Sequence, residues 1–257
     1  MTIILLPPSE TKRDGGHPRS ADETARFPQL DEQRAVARQA LAALVAGSDD
    51  EAIARALKVG HRAAPAEIAR DRALDGAPVM PAVDRYTGVL YDALDAGSLS
   101  EPARDELGRS VVVQSALCGL VGALEPIPAY RLSAGSRLPG VVMTSLWARP
   151  STEALADTGE TLVDLRSASY AALGPLPAPA PGREVASVSV VARDADGTTR
   201  ALNHFNKRGK GLFVRDLVTA GPVPPTLDAL CTHARDIGWE LRRTGDTALE
   251  LVVPHDR

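Results

Sequence analysis

The chain has 257 residues, of which 44% are apolar and only 4% aromatic, and it carries a formal net charge of -4. That is enough apolar material for one large domain or two small ones, with a core built mostly of Ala, Val and Leu. It excludes a surface that binds polyanions as a whole, so any contact with nucleic acid must come from a local basic patch.

Thr2 to Leu6 reads as a buried strand: short, apolar, β-branched and stopped by Pro7-Pro8. The polar loop Ser9-Glu10-Thr11-Lys12-Arg13-Asp14-Gly15-Gly16 follows directly, a common place for a site in α/β proteins. It is not a Walker loop, because its glycines come after the lysine and no Gly-Lys-Ser/Thr occurs. Residues 30–46 have the periodicity of an amphipathic helix. Asp49-Asp50-Glu51 places acids at the start of a second helix ending near Gly60, and Pro65 suits the first turn of a third, ending near Gly76. The turn between them, Lys58-Val59-Gly60-His61-Arg62, is basic and contains glycine. It is either a plain corner between two helices or a seat for a DNA backbone, with Lys58, His61 and Arg62 as the DNA-binding candidates.

Pro78 to Gly88 reads as a loop, and Val89–Ala96 and Ser100–Leu107 as short helices. Val111-Val112-Val113 begins a second buried strand that runs into the glycine-rich Gln114–Leu124, where small residues allow close backbone approach. Pro126 and Pro128 impose an extended connection into Ala129-Tyr130-Arg131-Leu132. After Leu146-Trp147 a short helix is expected from Ser151, its N-cap, to Ala156. Thr161–Leu165 should be the third strand and Ser167–Leu173 a short helix. Gly174–Gly182, with four prolines, should be an extended surface linker.

From Glu184 the pattern turns to period two, and Asp194-Ala195-Asp196-Gly197 makes a turn into a partner strand over Thr198–Phe205. The basic stretch Lys207-Arg208-Gly209-Lys210-Gly211 lies at the exit of this hairpin, before a helix over Lys210–Ala220 ended by Gly221-Pro222. It is either a solvated basic turn or a group of cations and free amides suited to a phosphate. A further helix over Thr226–Ile237 and a hairpin of Trp239–Arg243 with Ala248–Val253 close the chain.

Cys118 and Cys231 have neither metal-type spacing nor a disulfide framework, and no two of the five histidines are close enough in sequence for a local metal motif. The sequence therefore names no metal and no cofactor. Met1–Leu6 is too short and uncharged for a secretory leader, and no run approaches a membrane span. The expectation is a cytoplasmic protein that does not contact membrane.

Six stretches, in this order, resemble the YaaA family of peroxide-stress proteins. They are Leu6-Pro7-Pro8-Ser9-Glu10-Thr11-Lys12, Asp84-Arg85-Tyr86-Thr87-Gly88-Val89, Ser115–Pro126 with Tyr130-Arg131-Leu132, Leu146-Trp147, Asp164-Leu165-Arg166-Ser167-Ala168-Ser169-Tyr170, and Lys207–Arg215. The resemblance implies one mixed α/β (α+β) domain over residues 1–257, with a central mixed sheet, surrounding helices and a helical-hairpin element. It also implies a cytosolic role in peroxide defence, associated with DNA binding and with limiting free iron. The chain departs from the family pattern at Ala116 for Gly, Cys118 for Tyr, Glu125 for Arg, Asp164 for Asn and Lys210 for Arg. With these departures, the resemblance implies a divergent, actinobacterial-type member of the family.

The same stretches carry Ser9, Glu10, Lys12, Tyr86, Ser115, Tyr130, Arg131, Tyr170, Lys207, Arg208 and Lys210. Converged, they make a polar pocket of cations, phenols and one carboxylate. Ser9, Lys12, Ser115, Tyr130, Arg131, Lys207, Arg208 and Lys210 would then hold a small anionic ligand, and Glu10, Tyr86 and Tyr170 are the catalytic candidates. Plainer roles stand beside these: buried tyrosines with satisfied hydroxyls, an arginine paired to an internal acid, a surface glutamate, and Trp147 as core. Two functions follow, a DNA-associated peroxide-stress protein, and an enzyme or binder for a nucleobase, nucleotide or sugar-phosphate ligand. An iron-handling role is weaker, for want of clustered ligands. Neither turnover nor oligomeric state is legible in the sequence.

Overall fold

The computed structural model describes residues 1–20, 23–193, 199–201 and 205–253. β1 (Thr2–Leu6) forms where the apolar run predicts and is buried at every position. The helical region follows as α1 (Asp31–Gly47), α2 (Asp50–Leu57) and α3 (Ala64–Arg72). Asp49 caps α2 by accepting from the Ala52 N–H, as an acid at that position should. The expected loop at Pro78–Gly88 instead holds β2 (Val79–Pro81) and α4 (Ala82–Arg85). α5 (Val89–Leu94) and α6 (Glu101–Ser110) lead into β3 (Val111–Ser115), which turns back into β4 (Gly119–Gly122). β5 (Pro126–Pro128) pairs with β2 in a separate two-stranded sheet.

α7 (Met143–Asp157) begins well before the expected Ser151 and carries Pro150 inside it. Its buried Trp147 explains the early start. The indole N–H donates to the Ala116 carbonyl (2.9 Å), and the ring lies where a Cβ on Gly119 would be 2.4 Å away. Gly119 has φ of +66°, so both its conformation and its contact require glycine. The remaining elements are β6 (Thr161–Asp164), α8 (Ala168–Ala171), β7 (Val185–Arg193), β8 (Thr199–Ala201), α9 (Phe205–Thr219), α10 (Leu227–Asp236), β9 (Glu240–Gly245) and β10 (Ala248–Val253). The expected turn at residues 194–197 lies outside the described residues, as do 198 and 202–204 of the expected partner strand, of which β8 is the described part; Phe205, expected to end that strand, begins α9.

The main sheet runs β4-β3-β1-β6-β7-β10-β9, with β8 paired to β7. β3, β1, β6, β7 and β10 are mutually parallel, and the flanking β4, β8 and β9 are antiparallel. The fold is thus mixed α/β, with helices packed around one mixed sheet and a single apolar cluster that draws on almost every element. Among the described residues no helix is long and apolar enough to cross a membrane.

The basic stretch differs most from expectation. It lies within α9, because Gly209 and Gly211 serve as contact points and not as helix breakers. A Cβ on Gly209 would meet Val253 at 2.4 Å, and one on Gly211 would lie 2.1 Å from the Leu90 carbonyl oxygen and 3.0 Å from the Leu94 nitrogen. α9 and α5 therefore touch backbone to backbone. Gly211→Ala should gain about 1 kcal/mol in helix propensity but lose about 1–3 kcal/mol or more to overpacking against an unyielding backbone. The expected result is a melting temperature several degrees lower; a higher one would contradict this packing.

Candidate functional site

In the parallel core, β1 lies between β3 and β6, so successive connections leave it in opposite directions. Ligands in open α/β sheets bind beyond the carboxyl ends of strands at such a switch point. Here those ends deliver Pro7–Lys12 after β1, Ser115–Cys118 after β3, and Leu165–Arg166 after β6.

Three hydroxyls are joined there. Ser115 Oγ accepts the backbone N–H groups of Leu117 (3.1 Å) and Cys118 (2.9 Å) and lies 2.7 Å from the Tyr130 hydroxyl, which lies 2.8 Å from that of Tyr86. Burial pushes both phenols well above their ordinary pKa. Residues 11–13 are fastened to residues 85–87 by backbone bonds, including Arg13 N–H to Arg85 O and Thr87 N–H to Thr11 O. Lys12 is thereby carried under the tyrosines. Its Nζ sits 4.1 Å from the centre of the Tyr130 ring and 5.3 Å from that of Tyr86, and donates to the carbonyls of Ser9 (3.0 Å) and Glu10 (3.3 Å). Burial, aided by the charge of Arg131, lowers the Lys12 pKa to about 7.

Arg131 reaches the same loop. Its Nη2 donates to Glu10 Oε2 (2.8 Å), its Nη1 to the Glu10 carbonyl (3.4 Å), and its backbone N–H to Asp71 Oδ1 (2.7 Å). The Glu10 carboxylate is exposed, whereas the Arg131 guanidinium is 10% exposed and its Nε has no hydrogen-bond partner among the described residues. The Tyr170 hydroxyl accepts weakly from Ala134 N–H (3.4 Å), and burial raises it to about 12. Ser9 Oγ bonds Thr11 beside Gly88. Tyr86 lines a 400 Å³ cleft shared with Arg13, Tyr91, Asp92 and Asp95, and Asp71 lines a 670 Å³ cleft between α1 and α3 with Arg38, Gln39 and Arg72.

The cations on α9 divide. Lys207 and Arg208 are exposed. Lys210 is buried, its Nζ donates to the Leu165 carbonyl (2.7 Å), and burial lowers its pKa. Lys58, His61 and Arg62 are all exposed on the turn between α2 and α3, where Lys58 closes α2 in the left-handed conformation. The loop 133–137 ties this turn toward the site. Arg137 N–H donates to Ala56 O, Ser136 Oγ to Leu57 O, and Ala134 N–H to Tyr170.

Sequence reasoning missed two buried groups. Asp164 and Arg166 form a buried bidentate pair (2.8 and 2.7 Å) at the end of β6, where Arg166 also donates to Gln114 Oε1 and Gly174 O. Asp71, on α3, is 3% exposed, its Oδ2 lacks a partner among the described residues, and burial raises its pKa to about 7. An acid between Arg70 and Arg72, one turn after Glu67, gives no signal of its own, because its depth is set by the packing of α3 against Arg131. Among the described residues no three His, Cys, Asp or Glu side chains gather as a metal-binding group.

Asp71 and Lys12 oppose each other in pH dependence. Between an ordinary 3.8 and about 7 the folded chain holds the Asp71 proton that the unfolded chain releases, so this group makes stability fall as pH rises. Between about 7 and 10.5 the unfolded chain holds the Lys12 proton that the folded one releases, so stability rises. Asp71→Asn should remove the first slope. Urea denaturation of both proteins at pH 4.5 and pH 7 checks it, and an unchanged difference would contradict the buried-carboxyl assignment.

A family model described as peroxide stress protein YaaA matches residues 1–237. A UPF0246 protein of Corynebacterium glutamicum (strain R) is 38% identical, covering 98% of this chain and all of the relative. A UPF0246 protein of Corynebacterium efficiens is 38% identical over the same shares of both chains. One of Streptomyces coelicolor is 38% identical over 93% of this chain and 91% of its own.

Proposed function

The chain belongs to the peroxide stress protein YaaA family, and from that premise we propose that it serves the peroxide response in the cytoplasm, as a single domain, through a small-ligand site beyond the carboxyl end of β1. The ligand is an anionic nucleobase-, nucleotide- or sugar-phosphate-like molecule. One observation carries this reading: Glu10, Lys12, Tyr86, Ser115, Tyr130 and Arg131, from well-separated segments, are linked by direct contacts at the switch point of the sheet, with Tyr170 close enough to feel the charges of Glu10 and Arg131. Arg131 holds the anion through its planar fork, Tyr170 offers a ring edge, and the exposed Glu10 is the group free to move as ligand enters. A thermal-shift screen with nucleotides and sugar phosphates tests it. A ligand at a hundred times its Kd should stabilise by about 2.7 kcal/mol. No stabilisation by any of these ligants' classes contradicts the reading.

A second reading rests on the exposed Lys58, His61 and Arg62, whose turn is fastened to the loop that meets Tyr170. It holds a DNA backbone there, with Lys207 and Arg208 as further phosphate contacts. Duplex affinity should then fall steeply with salt, and Lys58→Ala should reduce the salt slope by about one. Affinity at low salt no better than that of an arbitrary acidic protein removes this reading.

A further inference from the structure

We propose that the Lys12 amine, with the Tyr86 phenol beside it, forms an imine with an aldehyde or ketone that also carries an anionic group. The site then transforms a carbonyl compound as well as holding it. The inference rests on the small-ligand reading above and deepens it.

The chain has 25 arginines and only four lysines, at positions 12, 58, 207 and 210. A position that needs only positive charge is met here by arginine almost everywhere. An arginine stays charged in a protein, whereas a desolvated lysine can shed its proton and become a nucleophile. Two of the four lysines are buried, and Lys210 uses its amine to hold the end of β6. Lys12 is the one placed at the switch point among polar groups with unmet bonds.

A neutral amine has two N–H bonds and one lone pair. The carbonyls of Ser9 and Glu10 take the two N–H bonds, which leaves the lone pair for a carbon electrophile. Burial lowers the pKa of this amine to about 7, so a large share of it is neutral at neutral pH.

Ser115 Oγ accepts two backbone N–H bonds, which occupy its lone pairs, so its own proton goes to Tyr130. The Tyr130 proton then goes to Tyr86. The Tyr86 O–H is left as the donor at the end of the relay, and burial keeps that phenol protonated. A backbone turn after β3 thus sets the donor order toward Tyr86, whose ring centre lies 5.3 Å from the Lys12 amine. Arg131, now held by the exposed Glu10, supplies the anchor for the anionic group.

The atoms balance without an added reagent. The Lys12 lone pair forms an N–C bond to the carbonyl carbon as the Tyr86 phenol protonates the carbonyl oxygen. The nitrogen returns a proton to Tyr86, which gives it to the new hydroxyl. Water leaves as the nitrogen lone pair closes the C=N bond, and the remaining N–H proton returns to the Tyr86 phenolate. One amine and one carbonyl become one imine and one water.

The test uses the wild-type chain with ribose 5-phosphate and sodium cyanoborohydride, followed by peptide mass spectrometry. The expected result is a reduced adduct on Lys12, formed at least tenfold faster than on the exposed Lys58, and absent in Lys12→Met. Ribitol 5-phosphate, which has the phosphate but no carbonyl, is run beside it in a thermal-shift assay. Stabilisation by ribitol 5-phosphate with labelling of Lys58 or Lys207 only, or of no lysine, overturns the imine and leaves the ligand site standing. Neither stabilisation nor a Lys12 adduct overturns both.

Discussion

Arg166→Met should lower the free energy of unfolding by about 3–5 kcal/mol, the usual cost of removing one partner from a buried ion pair. Arg166 is fully buried and Asp164 nearly so. The substitution strands the Asp164 carboxylate and leaves the Gln114 side-chain oxygen and the Gly174 carbonyl without their charged donor. Asp164 also ends β6, in register with Leu5 of β1, so the disturbance reaches the strands that position the site. The double variant Asp164→Leu, Arg166→Met should recover part of the loss, because the uncompensated charge goes with its partner. Urea denaturation of the three proteins checks this. A single-variant loss under about 1 kcal/mol would mean that the pair is solvated.

Arg131→Ala should weaken binding of ribose 5-phosphate or a nucleotide by about 10- to 150-fold, the equivalent of a charged hydrogen bond worth about 1.5–3 kcal/mol. Glu10→Gln should act in the opposite sense. The Glu10 carboxylate is exposed and holds the guanidinium that the ligand needs. An exposed pair is worth about 0–1 kcal/mol, so removing its charge should tighten binding by up to about fivefold. Arg131→Lys keeps the charge without the fork and should fall between wild type and Arg131→Ala. Calorimetric titration gives all three. Parallel losses in Arg131→Ala and Glu10→Gln would show that the pair is scaffolding and not a shared anion seat. The backbone bond from Arg131 to Asp71 is untouched in every variant, which separates the two effects.

How much of this was legible in the sequence depends on range. The strands Thr2–Leu6 and Ala248–Val253 and the helical pair around Lys58–Arg62 follow from apolar runs, caps and prolines, which act locally. The start of α9 was not legible, because Gly209 and Gly211 look like breakers until Val253 and the backbone of α5 are seen against them. The length of α7 was hidden by Pro150, which tertiary packing of Trp147 overrides. At the site, the residue types of separated stretches suggested a polar pocket; three of those stretches meet in direct contacts, Glu10 with Arg131, Lys12 with Tyr130, and Tyr86 through Tyr130 with Ser115, while Lys207 and Arg208 lie exposed. Asp71 and the role of Arg166 could not be read, since depth and pairing come from long-range packing. The cluster of the Ser115, Tyr130 and Tyr86 hydroxyls is likewise a property of three segments meeting, and no spacing encodes it.

The central claim is that a small anionic ligand binds beyond the end of β1, between Arg131, Lys12 and the tyrosines. Backbone-amide NMR titration with ribose 5-phosphate tests it most directly. Saturable shifts are expected at residues 9–13, 86–88, 115–118, 130–134 and 167–170, with the turn at residues 58–62 unmoved. Shifts confined to residues 58–62 or 207–208, or no saturable shift anywhere, would contradict it.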